Sequence, residues 1–303
     1  MIQAGPLVSV ICLSYNHERF IEEALRSVLD QTYKNIEIIV VDDASTDKSL
    51  DVIEKLANQF PKIRSIVHTS NQGNCISFNQ ALKVSTGQYI VDFATDDVIL
   101  SDRIEKQVAA FEKLDKKYGV VYTDAVLIDE QSLETGSHYG LSLFSNFIPP
   151  SGNVYKTILE KYFINPPTMM FRRALIEKLG GYDESLAYED FDFWVRSSRE
   201  CEYFYLNEKL TKRRIVAGSH SDKFKSRFYA QMFESTYQVC LKALWLNRNE
   251  EENDALATRI QYEMTQAFFK KQKGLVEKYF SLLKNMKKIS FRAYVLRMLI
   301  LMK

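Results

Sequence analysis

Three clusters of carboxylates stand where acidic side chains could do chemistry. Asp42-Asp43 follows the apolar run IEIIVV, Asp96-Asp97 closes the segment YIVDFATDD, and Glu189, Asp190 and Asp192 sit together in YEDFDFW. Adjacent carboxylates repel each other and are easiest to keep ionised beside a cation. Hard divalent ions such as Mg²⁺ and Mn²⁺ prefer oxygen ligands, so Asp96-Asp97 could bridge a metal to a diphosphate. A carboxylate at Asp43 could accept hydrogen bonds from a nucleotide base or ribose. Asp190 could serve as a general base if it reaches the hydroxyl proton it removes. Each cluster also has a plainer reading. Asp42, Asp43, Ser45, Thr46 and Asp47 are all cap and turn residues, and Asp96-Asp97 can be a turn. Acids at a helix start complement the helix dipole.

The elements that must position these groups are legible in the hydrophobic pattern. Residues 7–13, LVSVICL, form an unbroken apolar run rich in β-branched side chains, which fits a strand covered on both faces. Residues 18–29 carry apolar side chains at helical offsets. The alternation continues with strands at 37–41, 63–68 and 89–93 and helices at 49–60 and 78–84. Strand-helix alternation predicts an α/β fold with a doubly wound, mostly parallel sheet. Ligands of such sheets bind outside the carboxyl ends of the strands. Ser14-Tyr15-Asn16, Asp42-Asp43 and Asp96-Asp97 each follow a predicted strand. Beyond them come a helix at 103–114, a strand at 120–123, a loop-like stretch at 133–154, and helical patterns near 155–163, 173–179 and 190–199. Asn165-Pro166-Pro167-Thr168 reads as a turn or as part of an acceptor side. From about residue 223 the pattern is helical almost throughout, so the expected division is 1–222 and 223–303.

Composition narrows the classes. The chain has 303 residues, 46% of them hydrophobic, and a net charge of +1. That is ordinary globular composition and too little positive charge for a general nucleic-acid binder. Four cysteines without a C-x-x-C pair fit reduced thiols in a cytosolic protein. No apolar stretch reaches the roughly 18 residues of a membrane span. No G-x-G-x-x-G follows a strand, which disfavours a dehydrogenase, and SYNHERF after the first strand lacks the glycines of a nucleotidyltransferase phosphate loop. The neutral total hides one asymmetry. Residues 269–303 hold ten Lys/Arg and one acid, Glu277, a local balance of +9 that leaves −8 on the remainder.

Four segments, in order, carry a resemblance: PLVSVICLSYNHERFIEEALRSVLDQTYKNIEIIVVDDASTDKS, NQGNCISFNQALKVSTGQYIVDFATDD, MMFRRALIEKLGGYDESL and YEDFDFWVRS. Together, over residues 6–220, they resemble glycosyltransferase family 2 with the GT-A fold. The resemblance implies an inverting enzyme that moves a sugar from a nucleotide-sugar, a UDP-sugar first, to a hydroxyl of a glycan or lipid-linked acceptor. It implies a divalent cation, Mn²⁺ or Mg²⁺, and a place in surface polysaccharide biosynthesis. Tyr15 would stack on the uracil, flanked by Ser14 and Asn16. Asp43 would bind the base at its ring N–H, Asp96 the ribose, and Asp97 the metal. Asp190 would be the catalytic base, with Trp194 packed beneath it. Asn71 and Asn79 match polar positions on the donor side. The alternative is a glycosyltransferase-like module that holds a nucleotide-sugar without transferring it.

One departure from the family pattern stands out. Members often carry Tyr-Arg-x-His after the base, whereas this chain reads Lys212-Arg213-Arg214-Ile215-Val216 and reaches a histidine only at His220. His220 could replace the missing metal-side histidine or simply be exposed. Arg213 and Arg214 could neutralise a diphosphate or form surface salt bridges. The basic tail, with Leu282, Leu283, Met286 and Ile289 at helical spacing, predicts either a helix lying on an anionic membrane or helices that pack or oligomerise. The corresponding location is cytoplasmic, peripheral on the inner face of the plasma membrane.

Overall fold

The computed structural model describes residues 5–216 and 227–301. The chain divides into two compact units that are not contiguous in sequence. One comprises Met1–Gly152, Phe163–Glu184 and Glu200–Asp222. The other comprises Asn153–Tyr162, Ser185–Arg199 and Lys223–Lys303. This partition differs from the expected one at two places, since the segments at 153–162 and 185–199 belong with the C-terminal helices. Asp190 is therefore a residue of the helical unit. A linear reading assigns segments by neighbourhood in sequence, whereas compactness follows side-chain packing.

The first unit is built on one sheet. Its first half contains β1 (Val8–Ser14), β2 (Ile36–Asp42), β3 (Ile63–Val67) and β4 (Tyr89–Ala94), in the parallel order β3-β2-β1-β4. All seven residues of β1 are buried, as expected for a strand covered on both faces. Helices α1 (Ile21–Leu29), α2 (Ser49–Gln59) and α3 (Asn74–Val84) make the crossovers. The apolar stripe of α1, on Ile21, Ala24, Leu25 and Val28, enters the same core as Val10, Cys12, Ile38 and Val40.

The second half of the sheet is mixed. After β5 (Val98–Ile99) and α4 (Arg103–Lys113) come β6 (Tyr118–Ile128), β7 (Glu134–Ser137), β8 (Met170–Arg172), α6 (Arg173–Lys178) and β9 (Glu202–Arg214). The short β8 lies antiparallel between β4 and β6, and β9 runs parallel to β6. Strand β9 was not apparent in the sequence. It carries Glu202, Glu208, Lys209, Lys212 and Arg213, and its pairing with β6 shifts register around Leu206–Thr211, so the alternation of period two is broken.

The second unit is helical: α5 (Tyr155–Glu160), α7 (Asp190–Ser197), α8 (Arg227–Leu246), α9 (Glu250–Phe269), α10 (Lys273–Asn285) and α11 (Phe291–Leu301). Two buried arginines tie its segments together. Arg259 donates to the Leu159 carbonyl at 3.1 Å and lies over the Tyr162 ring, and Arg199 pairs with Glu252 and covers Tyr155. Asn249 caps α9 by accepting the Glu252 N–H at 2.9 Å. Among the described residues no helix is long and apolar enough to cross a membrane.

Candidate active site

The parallel register assembles the site. Ser14 pairs with Asp42 across β1 and β2, and Leu13 pairs with Ala94 across β1 and β4. The chain segments that leave these strands, Tyr15–His17, Asp43–Ser45 and Thr95–Asp97, therefore emerge side by side at one sheet edge. Hydrogen bonds between them stitch the edge together. Asp43 N–H donates to Ser14 O at 2.9 Å, Thr46 N–H to Asn16 Oδ1 at 2.7 Å, and Thr95 N–H to Leu13 O at 3.0 Å. Asn16 sits at φ 58°, a left-handed conformation that asparagine tolerates better than most residues.

The two carboxylates after β2 divide their work. Asp42 takes the turn role, with Oδ2 accepting the Ser45 N–H at 3.0 Å. Its Oδ1 and the Ser14 hydroxyl are buried without a hydrogen-bond partner among the described residues. Asp43 is held by three donors: His68 Nδ1 and the Gln72 N–H at 2.7 Å each, both on Oδ1, and the Gly73 N–H on Oδ2 at 2.8 Å. It thereby fixes the loop that leads into α3. His68 is held in turn by Gln80 at 2.8 Å. Asn71 donates to the Asp43 carbonyl at 3.3 Å and is exposed, and Tyr15, the residue after β1, is half-buried.

Asn79 is buried in α3, and its amide hydrogens go to the Tyr182 carbonyl and to Glu184, both at 2.9 Å, while its oxygen accepts the Tyr182 N–H. Both amide hydrogens are thus engaged inside the unit, where they anchor the segment around Gly181. Gly181 is at φ 86°, and a Cβ there would lie 2.5 Å from Asn79 Oδ1. Gly181→Ala is therefore expected to cost about 1–3 kcal/mol through backbone strain and displacement of Asn79, measurable by urea unfolding.

The pair after β4 carries the strongest electrostatic signature. Asp97 is buried, and its carboxyl is pushed well above the usual carboxylate range, first by burial and second by the neighbouring Asp96 charge. Its Oδ1 accepts the Arg214 N–H at 2.8 Å. The Asp96 carboxylate is partly exposed, with His17 Nε2 4.0 Å away. Because the Thr95 hydroxyl donates to Leu13 O, His17 Nδ1 is the donor in its 2.9 Å contact with Thr95. Crowded hard-oxygen groups of this kind fit a divalent cation. No cluster of three His, Cys, Asp or Glu suited to a metal gathers among the described residues. Mg²⁺-type ions commonly use one or two carboxylates and take substrate phosphates for the rest. His220, the expected additional ligand, lies outside the described residues.

Arg214 corrects a second expectation. Its side chain is 0% exposed, so it is neither a surface ion-pair residue nor a free diphosphate clamp. Its guanidinium donates to the Asp96 carbonyl at 2.8 Å, to the Asp129 carbonyl and Ser132 hydroxyl at 2.9 Å, and to Glu23 at 2.7 Å, and it lies over the Phe20 ring. One buried side chain thus braces the Asp96-Asp97 turn against α1 and the end of β6. His17 and His68 were not singled out as site residues in the sequence, and for Arg214 the sequence did not show its buried bracing role. The faint signal for the two histidines was their place after a strand.

In the helical unit, Asp192 is buried and paired with Arg196 at 2.7 Å and with Lys242 at 2.6 Å. Asp190 occupies the first position of α7 and is half-buried. Trp194 is buried, edge-on to Tyr162. Asn165 opens the expected turn, with Pro166–Thr168 forming one 3₁₀ turn, and its buried side-chain amide has no partner among the described residues.

A mixed sheet whose parallel half, β3-β2-β1-β4, gathers carboxylates past its strand ends is the architecture of an α/β protein that binds a ligand at those ends. The model of "Glycosyl transferase family 2" matches residues 9–180. An uncharacterized glycosyltransferase of Rickettsia prowazekii is 30% identical over 276 residues, covering 91% of this chain and 83% of the relative. One of Haemophilus influenzae is 37% identical over 227 residues, covering 74% and 86%. Among solved structures, S. aureus TarS 1–349 in complex with UDP-GlcNAc superposes with a TM-score of 0.71 at 20% identity, covering 96% of this chain and 83% of that one. Mannosyltransferase PcManGT from Pyrobaculum calidifontis, in complex with GDP-Man and Mn²⁺, gives 0.60 at 18% identity, covering 97% and 79%. The chain belongs to glycosyl transferase family 2, and it is a glycosyltransferase of GT-A fold.

Proposed function

We propose that the protein transfers a sugar from a nucleotide-sugar, a UDP-sugar in the first instance, to a hydroxyl of a glycan or lipid-linked acceptor with inversion at the anomeric carbon. One observation carries the reading. The register of β2, β1 and β4 gathers Tyr15, Asp43, Asp96 and Asp97 at one sheet edge, with Asp97 buried beside a second carboxylate. The similar fold of TarS, solved with UDP-GlcNAc, supports a uridine donor, and that of PcManGT, solved with Mn²⁺, supports a divalent cation. Tyr15 stacks on the base, Asp43 accepts from its ring N–H, and Asp96 binds the ribose. Asp97, with Asp96 beside it, would hold a divalent cation, which when bound would supply Lewis-acid stabilisation of the diphosphate leaving group. Asp190 takes the acceptor hydroxyl proton, the acceptor oxygen bonds to the anomeric carbon, and the bond to the diphosphate breaks on the opposite face. Surface polysaccharide assembly is the process that such a donor and acceptor suit.

Screening a panel of nucleotide-sugars for Mn²⁺-dependent binding, followed by release of nucleoside diphosphate with acceptor glycans, tests this function. A guanosine- or thymidine-linked sugar bound in preference would overturn the uracil assignment. Saturable binding without release would favour a module that only holds the donor.

The Asp97 shift predicts a pH dependence. A carboxyl whose folded-state pKa is raised binds its proton more tightly in the folded chain. The corresponding stability is present at low pH and is lost as pH rises from the ordinary carboxylate value through the raised one. Asp97→Asn keeps the oxygen that accepts from Arg214 and removes this loss. The variant is therefore expected to melt about 2 °C or more above the native chain at neutral pH without metal. Mn²⁺ needs the ionised carboxylate, so native affinity for UDP with Mn²⁺ should climb with pH, and the variant should lose it. Calorimetry at several pH values reads both effects.

A further inference from the structure

The last helix leaves its most apolar side uncovered. Helix α11 packs inward through Ala293 and Ile300, which are buried. At 100° per residue the opposite arc holds Phe291, Tyr294, Val295, Met298, Leu299 and Leu301, all exposed, with Phe291 85% and Met298 64% exposed. An apolar helix in a water-soluble fold is ordinarily buried, and an unbroken exposed arc of six large apolar side chains marks an interaction surface. The stripe expected on Leu282 and Leu283 is not this surface, because both side chains are buried in α10.

Charge identifies the occupant. Exposed Lys284 lies in the last turn of α10, exposed Lys287 lies in the short link to α11, and exposed Arg292 borders the apolar arc of α11. Lys288 is tied to Glu250 and Asp254 and Arg297 to Glu277, whereas Lys284, Lys287 and Arg292 form no ion pair among the described residues. They belong to the segment with ten cations and one acid. Apolar side chains framed by unneutralised cations complement a surface that is apolar inside and anionic at its rim. The eleven residues of α11 span about 16 Å, well short of a hydrocarbon core of about 30 Å, so the helix can lie in the interface and cannot cross it.

We propose that α11 and the cations around its start dock the protein on an anionic lipid surface, the exposed arc entering the headgroup–acyl boundary and Lys284, Lys287 and Arg292 meeting the headgroups. The full 303-residue chain is tested by co-sedimentation with vesicles of phosphatidylcholine alone or mixed with phosphatidylglycerol. The native chain should bind the mixed vesicles, bind the neutral ones far less, and detach at high salt. Each cation near such a surface contributes about fivefold, so K284E/K287E/R292E should weaken binding by about 100-fold or more. F291S/M298S alters only exposed side chains and should weaken it by about tenfold or more. Unchanged circular dichroism and melting establish that both variants are folded. Failure of the native chain to bind mixed vesicles, or equal binding by folded variants, overturns the proposal. So does a native dimer in sedimentation velocity that F291S/M298S abolishes while vesicle binding persists, since the arc would then belong to a second copy.

Discussion

Replacing Asp190 by asparagine is expected to lower turnover by about 10²–10⁴-fold while leaving donor affinity near the native value. Asparagine matches the carboxylate in shape but cannot take a proton from the acceptor hydroxyl. Only the transition-state interaction is lost, so kcat falls and calorimetric binding of UDP with Mn²⁺ does not. Asp192 supplies the contrast. It lies two residues away on α7, buried between Arg196 and Lys242. Removing its charge leaves those two cations without their partner and should lower the melting temperature before it affects chemistry. If Asp190→Asn turns over at the native rate, Asp190 is not the base. If Asp192→Asn shows the larger loss of kcat at unchanged stability, the roles of the two acids are exchanged.

Replacing Arg214 by alanine is expected to cost about 3–5 kcal/mol and to lower the melting temperature by about 10 °C. The Glu23 ion pair is a minor part of that cost, because Glu23 is half-exposed and screened by solvent. The larger part is the loss of a charged donor from the carbonyls of Asp96 and Asp129, together with the space left over Phe20. Arg214→Lys should recover a fraction only. One ammonium on a flexible stem cannot replace a planar fork that serves several acceptors at once. Freeing the Asp96 carbonyl also loosens the turn that presents Asp96 and Asp97, so Mn²⁺-dependent UDP binding should weaken in both variants. Thermal melts paired with calorimetry read the two consequences separately. A fully stable Arg214→Ala would show that α1 and β6 hold the turn without it.

The parts of the site that the sequence made legible are those where a single side chain follows a continuous apolar strand. Ser14, Asp43 and Asp97 are in that position, because a strand covered on both faces announces itself and the polar residue after it marks its carboxyl end. Residues whose partners lie far along the chain were hidden. His68 reaches Asp43 across 25 positions and Arg214 reaches Asp96 across 118, and neither histidine nor arginine type reveals such a partner. The anchoring contacts of Asn79 were hidden for the same reason, since its hydrogen bonds to Tyr182 and Glu184 cross about a hundred residues.

Local pattern alone was enough to determine the α/β alternation, the apolar strands and the acids at their ends, and the excess of positive charge after residue 268. These are properties of short windows, in which hydrophobic period and residue type act through nearest neighbours along the chain. Strand order, the antiparallel insertion of β8 and the existence of β9 were decided in the tertiary structure, where pairing joins segments that no window contains. The same holds for the pairing of Asp192, which depends on Lys242 arriving from α8. It holds also for the tail, where the sequence placed apolar and basic residues together but only packing decided that Leu282 and Leu283 turn inward and the arc of α11 turns outward. Burial is a property of what a face meets, and a sequence specifies the face long before it specifies the neighbour.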